Sequence, residues 1–171
     1  MTTAVTVRPA TVVDAASVLA LRAAVFAETD YMLWEPAEFK DTVEDEASRI
    51  FRFNSSKNSC FLIATVDGAP IGFCGVMGGG VNRLRHSASI AIGVLREHWG
   101  QGAGNSLLQA AVSFSIGAGL TRIELTVHTT NIKAIALYLR NGFEVEGRRR
   151  RSLRVAGEYV DEYLMSLLHE A

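Results

Sequence analysis

Covalent staples and metal-binding clusters are scarce in this chain. It has two cysteines, Cys60 and Cys74, in 171 residues, which excludes a disulfide framework and a cysteine zinc site. Its four histidines, His86, His98, His128 and His169, show no metal-ligand spacing. No run comes near the ~20 consecutive apolar residues that cross a bilayer, and the polar stretch Met1–Pro9 has no apolar signal core. An excess of positive charge is also missing. The formal net charge is -1, whereas a protein held on nucleic acid by phosphate contacts carries a clear basic surplus. There is no linker, internal repeat or low-complexity tract. What is present is apolar: hydrophobic residues make up 49% and charged residues 20%, the balance of a folded domain. These limits lead us to expect one domain over residues 1–171, cytosolic, with reduced thiols, no metal, and neither nucleic acid nor membrane as partner.

Periodicity divides the chain into alternating elements. A short strand at Val5–Arg8 ends at Pro9. Thr11 and Asp14 read as an N-cap with its acidic third residue, opening a helix from about Val12 to Ala27. Pro36 reads as the start of a second helix carrying Phe39, Val43, Ala47, Ile50 and Phe51. Phe61–Val66 and Pro70–Met77 form a hairpin about Asp67-Gly68. Ser87–Val94 is a strand, Gly100–Gly104 a glycine-rich loop, and Leu107, Leu108, Ala111, Val112 and Ser115 mark the buried stripe of the helix that follows. A strand at Arg122–Val127, a helix at Asn131–Arg140, and strands Phe143–Arg149 and Glu158–Leu168 about a turn near Ala156-Gly157 complete the order. This predicts a mixed α/β fold with helices on both faces of one sheet. A parallel strand pair is expected around the helix after Gly104, because a strand–helix–strand unit needs a crossover.

The strongest chemical signal is Trp99-Gly100-Gln101-Gly102-Ala103-Gly104-Asn105-Ser106, between a strand and a helix. Glycines let backbone approach an anion closely, and the helix behind presents free N–H groups and its positive dipole end to the same spot. A phosphate or pyrophosphate is the natural ligand. The dinucleotide pattern fails because residue 105 is Asn, and the P-loop pattern fails because no lysine is present. Glycines that serve tight packing alone are the bland alternative.

Val94–Gly104 resembles the acetyl-CoA signature of the GCN5-related N-acetyltransferase family, Arg/Gln-x-x-Gly-x-Gly/Ala. Gly102 and Gly104 match its small positions; Trp99 stands where Arg or Gln is usual. Asn131-x-x-Ala134-x-x-Leu137-Tyr138-x-x-x-Gly142-Phe143 is similar to a second family motif, and Gly157–Met165 to the C-terminal run of many members. The resemblance covers most of the chain. It implies a central mixed, mostly antiparallel sheet with a splayed parallel pair, and direct transfer of an acetyl group from acetyl-CoA to an amine. Gln101, Gly102, Ala103, Gly104, Asn105 and Ser106 would anchor the diphosphate. The pantetheine arm would pair with the backbone of Ile92 and Val94, where Gly93 would permit a bulge, and a backbone N–H near Val94 would polarise the thioester carbonyl. Asn131 would contact the arm, and Lys133 and Arg140 would be outer phosphate candidates. Tyr138 would protonate the departing thiolate, since a phenol near pKa 10 is a workable donor to a thiolate near 8.5. The rival for Tyr138 is a packed aromatic with no chemistry.

The base is open. Period-two geometry puts Glu124, Thr126 and His128 on one strand face. We take Glu124 as the candidate, with His128, Glu158 and Glu162 as alternatives. The acceptor pocket is expected from Glu28–Glu38, with Asp30, Tyr31, Trp34 and Glu35, together with the loop Asn82–Ser87 and the last hairpin. A small-molecule primary amine such as an amino acid or polyamine is the expected acceptor. Protein N-termini or lysines, and a non-catalytic acyl-CoA sensor, are the alternatives. Arg148–Arg151 reads as a cross-strand partner of Glu158, Asp161 and Glu162 rather than a nucleic-acid patch. The apolar run Tyr163–Leu168 is core or a subunit contact, and the family resemblance allows a homodimer.

Overall fold

The computed structural model describes residues 4–170; Met1–Thr3, the start of the polar N-terminal stretch, and Ala171 lie outside the described residues. Seven strands form one sheet: β1 (Thr6–Pro9), β2 (Cys60–Val66), β3 (Ala69–Gly78), β4 (Ser87–Val94), β5 (Arg122–His128), β6 (Glu144–Val155) and β7 (Glu158–Leu168). Their spatial order is β1-β2-β3-β4-β5-β7-β6. Every neighbouring pair is antiparallel except β4 and β5, which flank the crossover helix α3 (Ala103–Gly117). One face packs α3 and α4 (Ile132–Arg140) around Leu107, Leu108, Ile123 and Met165. The other packs α1 (Ala15–Glu28) and α2 (Val43–Ser55) around Val18, Val25, Ile50 and Phe73. The run Tyr163–Leu168 therefore belongs to an interior strand, with Met165 and Ser166 buried between β5 and β6.

Two helices start later than expected. Thr11 and Asp14 do form a capping box, but the turn they open is 3-10 (Val12–Asp14), and α1 proper begins at Ala15. The second helix does not start at Pro36. That proline lies in an isolated turn, where the Glu38 N–H reaches the Glu35 carbonyl at 3.0 Å. The helix opens instead at Thr42, whose hydroxyl accepts the Asp45 N–H at 3.2 Å while Asp45 accepts from the Thr42 N–H at 2.8 Å. The reciprocal cap satisfies two end donors at once, which a lone proline cannot do. Phe39 accordingly precedes the helix, and Phe51 is exposed on its outer face.

The last hairpin is longer than expected. β6 continues past Arg149 through an irregularity between Arg149 and Leu153, with Arg151 at φ 52°. Ala156 and Gly157, at φ 48° and 87°, make the tight turn. The basic quartet is held by acids on β7: Arg148 pairs with Asp161 at 2.7 Å and Arg149 with Glu162 at 3.6 Å. Asp161 and Glu162 thus form the expected cross-strand charge pairs, whereas Glu158 lies opposite Val155 and has no ion-pair partner among the described residues.

A buried ionic cluster ties α1 to α2. Arg22 on α1 is paired with Glu46 on α2, which has no solvent exposure, and reaches Asp41 at 3.4 Å. Arg49 also pairs with Asp41 and lies 3.6 Å from Glu46. The Arg22 guanidinium sits over the rings of Phe26 and Phe39, at 5.4 and 4.9 Å. Removing one partner of such a pair leaves an uncompensated buried charge. Glu46→Ala should therefore lower unfolding free energy by about 3–5 kcal/mol in urea titration. Phe51→Ala, on the exposed face of the same helix, should cost under about 0.5 kcal/mol.

Candidate active site

The two parallel strands do not stay together. β4 and β5 pair only through Ser87–Arg122, Ala88–Ile123 and Ser89–Glu124. Past Ser89 they part, although β4 continues to Val94 and β5 to His128. The Leu95 N–H donates to the Ile71 carbonyl at 2.9 Å, on the β3 side. Backbone groups alternate sides along a strand. Those of Ile90, Ile92 and Val94 hence point away from β3, into the gap. The Val94 carbonyl is taken by the Trp99 indole N–H at 2.7 Å, which leaves the Val94 N–H and both groups of Ile92 available. A cleft of about 910 Å³ fills the gap, lined by Ile92, Val94, Gly102, Gly104, Asn131 and Tyr138 among others.

Gly93 introduces no bulge: its pairing with Phe73 is regular. A Cβ there would sit 2.7 Å from the Phe73 ring and 3.0 Å from Val25. The glycine makes room for an aromatic stacked on Phe61 with centroids 6.0 Å apart, so its role is packing.

The glycine loop enters α3 through Gly102 at φ 93°, a conformation an L side chain adopts only with strain. The first backbone bond of the helix runs from the Ser106 N–H to the Gly102 carbonyl at 2.9 Å. The amides of Ala103, Gly104 and Asn105 therefore have no backbone partner among the described residues and face the cleft end of the helix. The Ser106 amide is spent inside the helix, and Ala103 points its methyl into the core. The Gln101 side chain turns back to the Glu97 carbonyl at 2.6 Å. Gln101, Ala103 and Ser106 do not line the cleft; Gly100, Gly102, Gly104 and Asn105 do. A diphosphate-sized anion fits these donors: the helix start is bare, and a Cβ built at Gly100 or Gly102 meets nothing within 4 Å.

Helix α4 closes the far wall. The Asn131 carboxamide oxygen caps it by accepting the Ala134 N–H at 3.2 Å, which leaves its NH₂ for the cleft. Seven residues on, Tyr138 is 8% exposed and packs its ring 5.7 Å from Phe143. Its hydroxyl has no hydrogen-bond partner among the described residues, and burial pushes its pKa well above the usual 10. Asn141 and Asn105 join α4 to the start of α3 at 3.0 Å.

Next to this cleft, sharing Thr29, Tyr31, Trp99, Thr130 and Lys133 with it, lies a second cavity of about 880 Å³. Residues Ala27–Tyr31 and the hairpin residues Val155 and Val160 line it; of the segment expected at the acceptor, Asp30 and Tyr31 reach it, whereas Trp34 and Glu35 line neither cavity. The loop Asn82–Ser87, also expected there, lines neither. It leads into the opposite end of β4, where the His86 backbone carbonyl accepts the N–H groups of Thr121 and Arg122.

The β5 face separates the two candidate bases. Glu124 sits where β4 and β5 are still paired, and Arg122 holds its carboxylate at 2.9 Å while also gripping Glu146 at 2.6 Å. Glu124 lines neither cavity. His128, four residues on and about 13 Å along the strand, lines the second cavity. It is 5% exposed, and its Nε2 is buried with no hydrogen-bond partner among the described residues. Tyr31 meets the ring edge-on at 5.5 Å. Burial lowers the His128 pKa, against the opposing fields of Glu162 and Asp30. Among the described residues no group of three or more metal-ligating side chains occurs.

The profile of the Acetyltransferase (GNAT) family matches residues 26–143, from the last turn of α1 to the residue before β6. The L-amino acid N-acetyltransferase AaaT of Escherichia coli is 32% identical over 106 residues, 61% of this chain and 65% of that protein. The N-alpha-acetyltransferase RimI of Mycobacterium tuberculosis is 32% identical over 161 residues, 94% of this chain and 90% of its own. The crystal structure of an acetyltransferase of the GNAT family from Streptococcus pneumoniae superposes with a TM-score of 0.94 at 30% identity, covering 97% of this chain and 100% of the other. The parted strands, the bare helix start behind Gly102 and these matches agree, and the chain belongs to the GNAT family of acetyltransferases.

Proposed function

We propose that this acyltransferase moves the acetyl group of acetyl-CoA directly onto a primary amine of a small molecule, with Tyr138 as acid and His128 as base. One observation carries the reading. The gap between β4 and β5 runs from the free amides at the start of α3, past Tyr138, to a second cavity bordered by His128. Acetyl-CoA, when bound, supplies an activated thioester carbonyl and a thiolate leaving group.

The protein's part is to hold, polarise and move protons. The amides of residues 103–105 bind the diphosphate, and the edge of β4 at Ile92, with both its backbone groups free, takes the arm as an added strand. The Val94 N–H, with its own carbonyl tied to Trp99, is fixed as a donor to the carbonyl oxygen. The amine must reach the carbonyl as its free base, its ammonium form near pKa 10.4 having given a proton to solvent, and must lose one more proton as its nitrogen bonds to carbon. His128, its pKa lowered by burial, stays neutral at neutral pH, and its imidazole accepts that proton. Tyr138 stays protonated across the working range and delivers its hydroxyl proton to sulfur. Glu124, bound into the Arg122–Glu146 cluster, is left a structural role.

A CoA-release assay against a panel of amines tests the function as a whole. Turnover on a small amine supports it; turnover restricted to a protein or peptide N-terminus reassigns the acceptor.

Three variants test the parts. Gly102→Asp should abolish acetyl-CoA binding in calorimetric titration, because a carboxylate at the helix start repels the diphosphate at short range. Gly102→Asn, which meets the same backbone strain as Asp and adds no charge, should stay within about tenfold of the parent Kd. Equal loss in both would point to strain rather than to an anion site. Tyr138→Phe keeps the packed ring and removes only the donor. Its kcat should fall on the order of 100-fold or more with Kd for acetyl-CoA little changed. An unchanged kcat would return Tyr138 to packing alone.

The pH profile isolates His128. Its active form is neutral and its pKa is lowered, so kcat/KM should rise with pH through a value below the ordinary 6.5 and then level. Tyr138 should add no fall below about pH 10, because its pKa is raised. His128→Gln should remove the acidic limb; a limb that persists would assign it to another group.

A further inference from the structure

The acceptor cavity carries both signs of charge, and among the described residues its two cations form no salt bridge. Arg96 follows β4, and its backbone N–H is anchored by the Glu28 carboxylate at 2.7 Å. Its guanidinium is held by the Glu28 backbone carbonyl and lies 5.5 Å from the centre of the Trp99 ring. The Lys133 ammonium approaches the same ring to 5.9 Å. Neither cation has a carboxylate side-chain partner among the described residues. Both cations line the one cavity, so an anion bound there is attracted by each of them. Trp99 is itself pinned through its indole N–H, and the Arg96 guanidinium beside it is held by the Glu28 carbonyl.

The cavity's remaining polar wall has the opposite character. Asp30, which has no ionic partner among the described residues, lines it together with His128 and Tyr31. Asp30 and Glu162 both act on the imidazole. A cationic amine approaching His128 is favoured by that field. The same molecule would be repelled near Arg96 and Lys133 if its other end were a second amine.

Resting on the acetyltransferase reading above, we propose that the acceptor is a small molecule bearing both a primary amine and an anionic acid group, such as a free amino acid. Its amine faces His128 and Asp30, and its acid is received by Arg96 with Lys133 beside Trp99. Arg96 is the discriminating residue. It lines the acceptor cavity and not the cofactor cleft, whereas Lys133 lines both. A cation serving only the cofactor's phosphates would line the cleft. The volume of about 880 Å³ is that of a small-molecule site. A polyamine lacks the acid, and a peptide N-terminus has a neutral amide where the acid should be.

The test compares a panel of L-amino acids with their carboxamides, together with spermidine and a short peptide, in CoA release by the parent and by Arg96→Gln. The parent should prefer acid over amide by about tenfold or more in kcat/KM, the strength of a charge-assisted contact. Arg96→Gln should bring that ratio to within about twofold of one while Kd for CoA, measured by calorimetry, stays within about twofold. Arg96→Lys should restore part of the preference. Amides used as well as acids, or turnover on spermidine or peptide alone, would overturn the proposal and leave the acetyltransferase reading standing. So would an Arg96→Gln variant that weakens CoA and keeps the acid preference. Should no amine release CoA, the acetyltransferase reading fails instead, and titration of the amino acids into CoA-saturated protein still reads the site. Saturable binding lost in Arg96→Gln supports it; no binding sinks it.

Discussion

A sheet cannot leave backbone donors and acceptors unpaired in its interior without something to meet them, and this one parts its fourth and fifth strands after three residue pairs. The rest of the molecule is arranged around that gap. β4 is supported on its β3 side as far as Val94, and β5 is clamped along its whole length by β7. The parting therefore does not propagate. The helices α3 and α4 stand behind the opening, and α1 with its following loop stands in front, so the unpaired edge faces a lined space. Water or a ligand with peptide-like groups must complete the ladder.

The walls of that space are tied to each other. A Cβ at Gly104 would touch Leu137 at 3.4 Å, and Asn105 meets Asn141 across the same seam. The start of α3 and the body of α4 thus move as one block, which fixes the anion-binding amides relative to Tyr138. On the other side, the Arg22–Glu46 cluster joins α1 to α2 and reaches Asp41 at the end of the segment that follows α1. Both charges are desolvated, a costly arrangement that fixes geometry more surely than it adds stability.

Local chemistry was readable from the chain, and long-range geometry was not. The glycine loop, Asn131 and Tyr138 belong to short runs whose spacing implies their surroundings, and the structure brings Gly102, Asn131 and Tyr138 to one cleft. The start of α2 was misread because Pro36 is a visible helix opener, whereas Thr42 and Asp45 act only as a reciprocal pair. The choice between Glu124 and His128 could not be made from period-two spacing. Both lie on one strand face, as expected, but which of them meets a cavity depends on where β4 leaves β5. That point is set by pairing across some 30 residues of sequence. Gly93 was misassigned for a similar reason: its neighbour Phe73 is brought close by the hairpin, not by the local sequence. The two cations on Trp99 were likewise hidden, since Arg96 and Lys133 come from different elements.

The irregularity in β6 has a consequence for the molecule's solubility. β6 is the long outer strand of the sheet, and such an edge offers a template on which a foreign strand could grow. Here the pairing with β7 breaks between Arg149 and Leu153, and Arg151 adopts a left-handed backbone within the break. A strand approaching from outside would meet a kink and a row of guanidinium groups partway along, and could not stay in register across it. The same arginines that balance the acids of β7 therefore also guard the open side of the sheet against stacking into fibres.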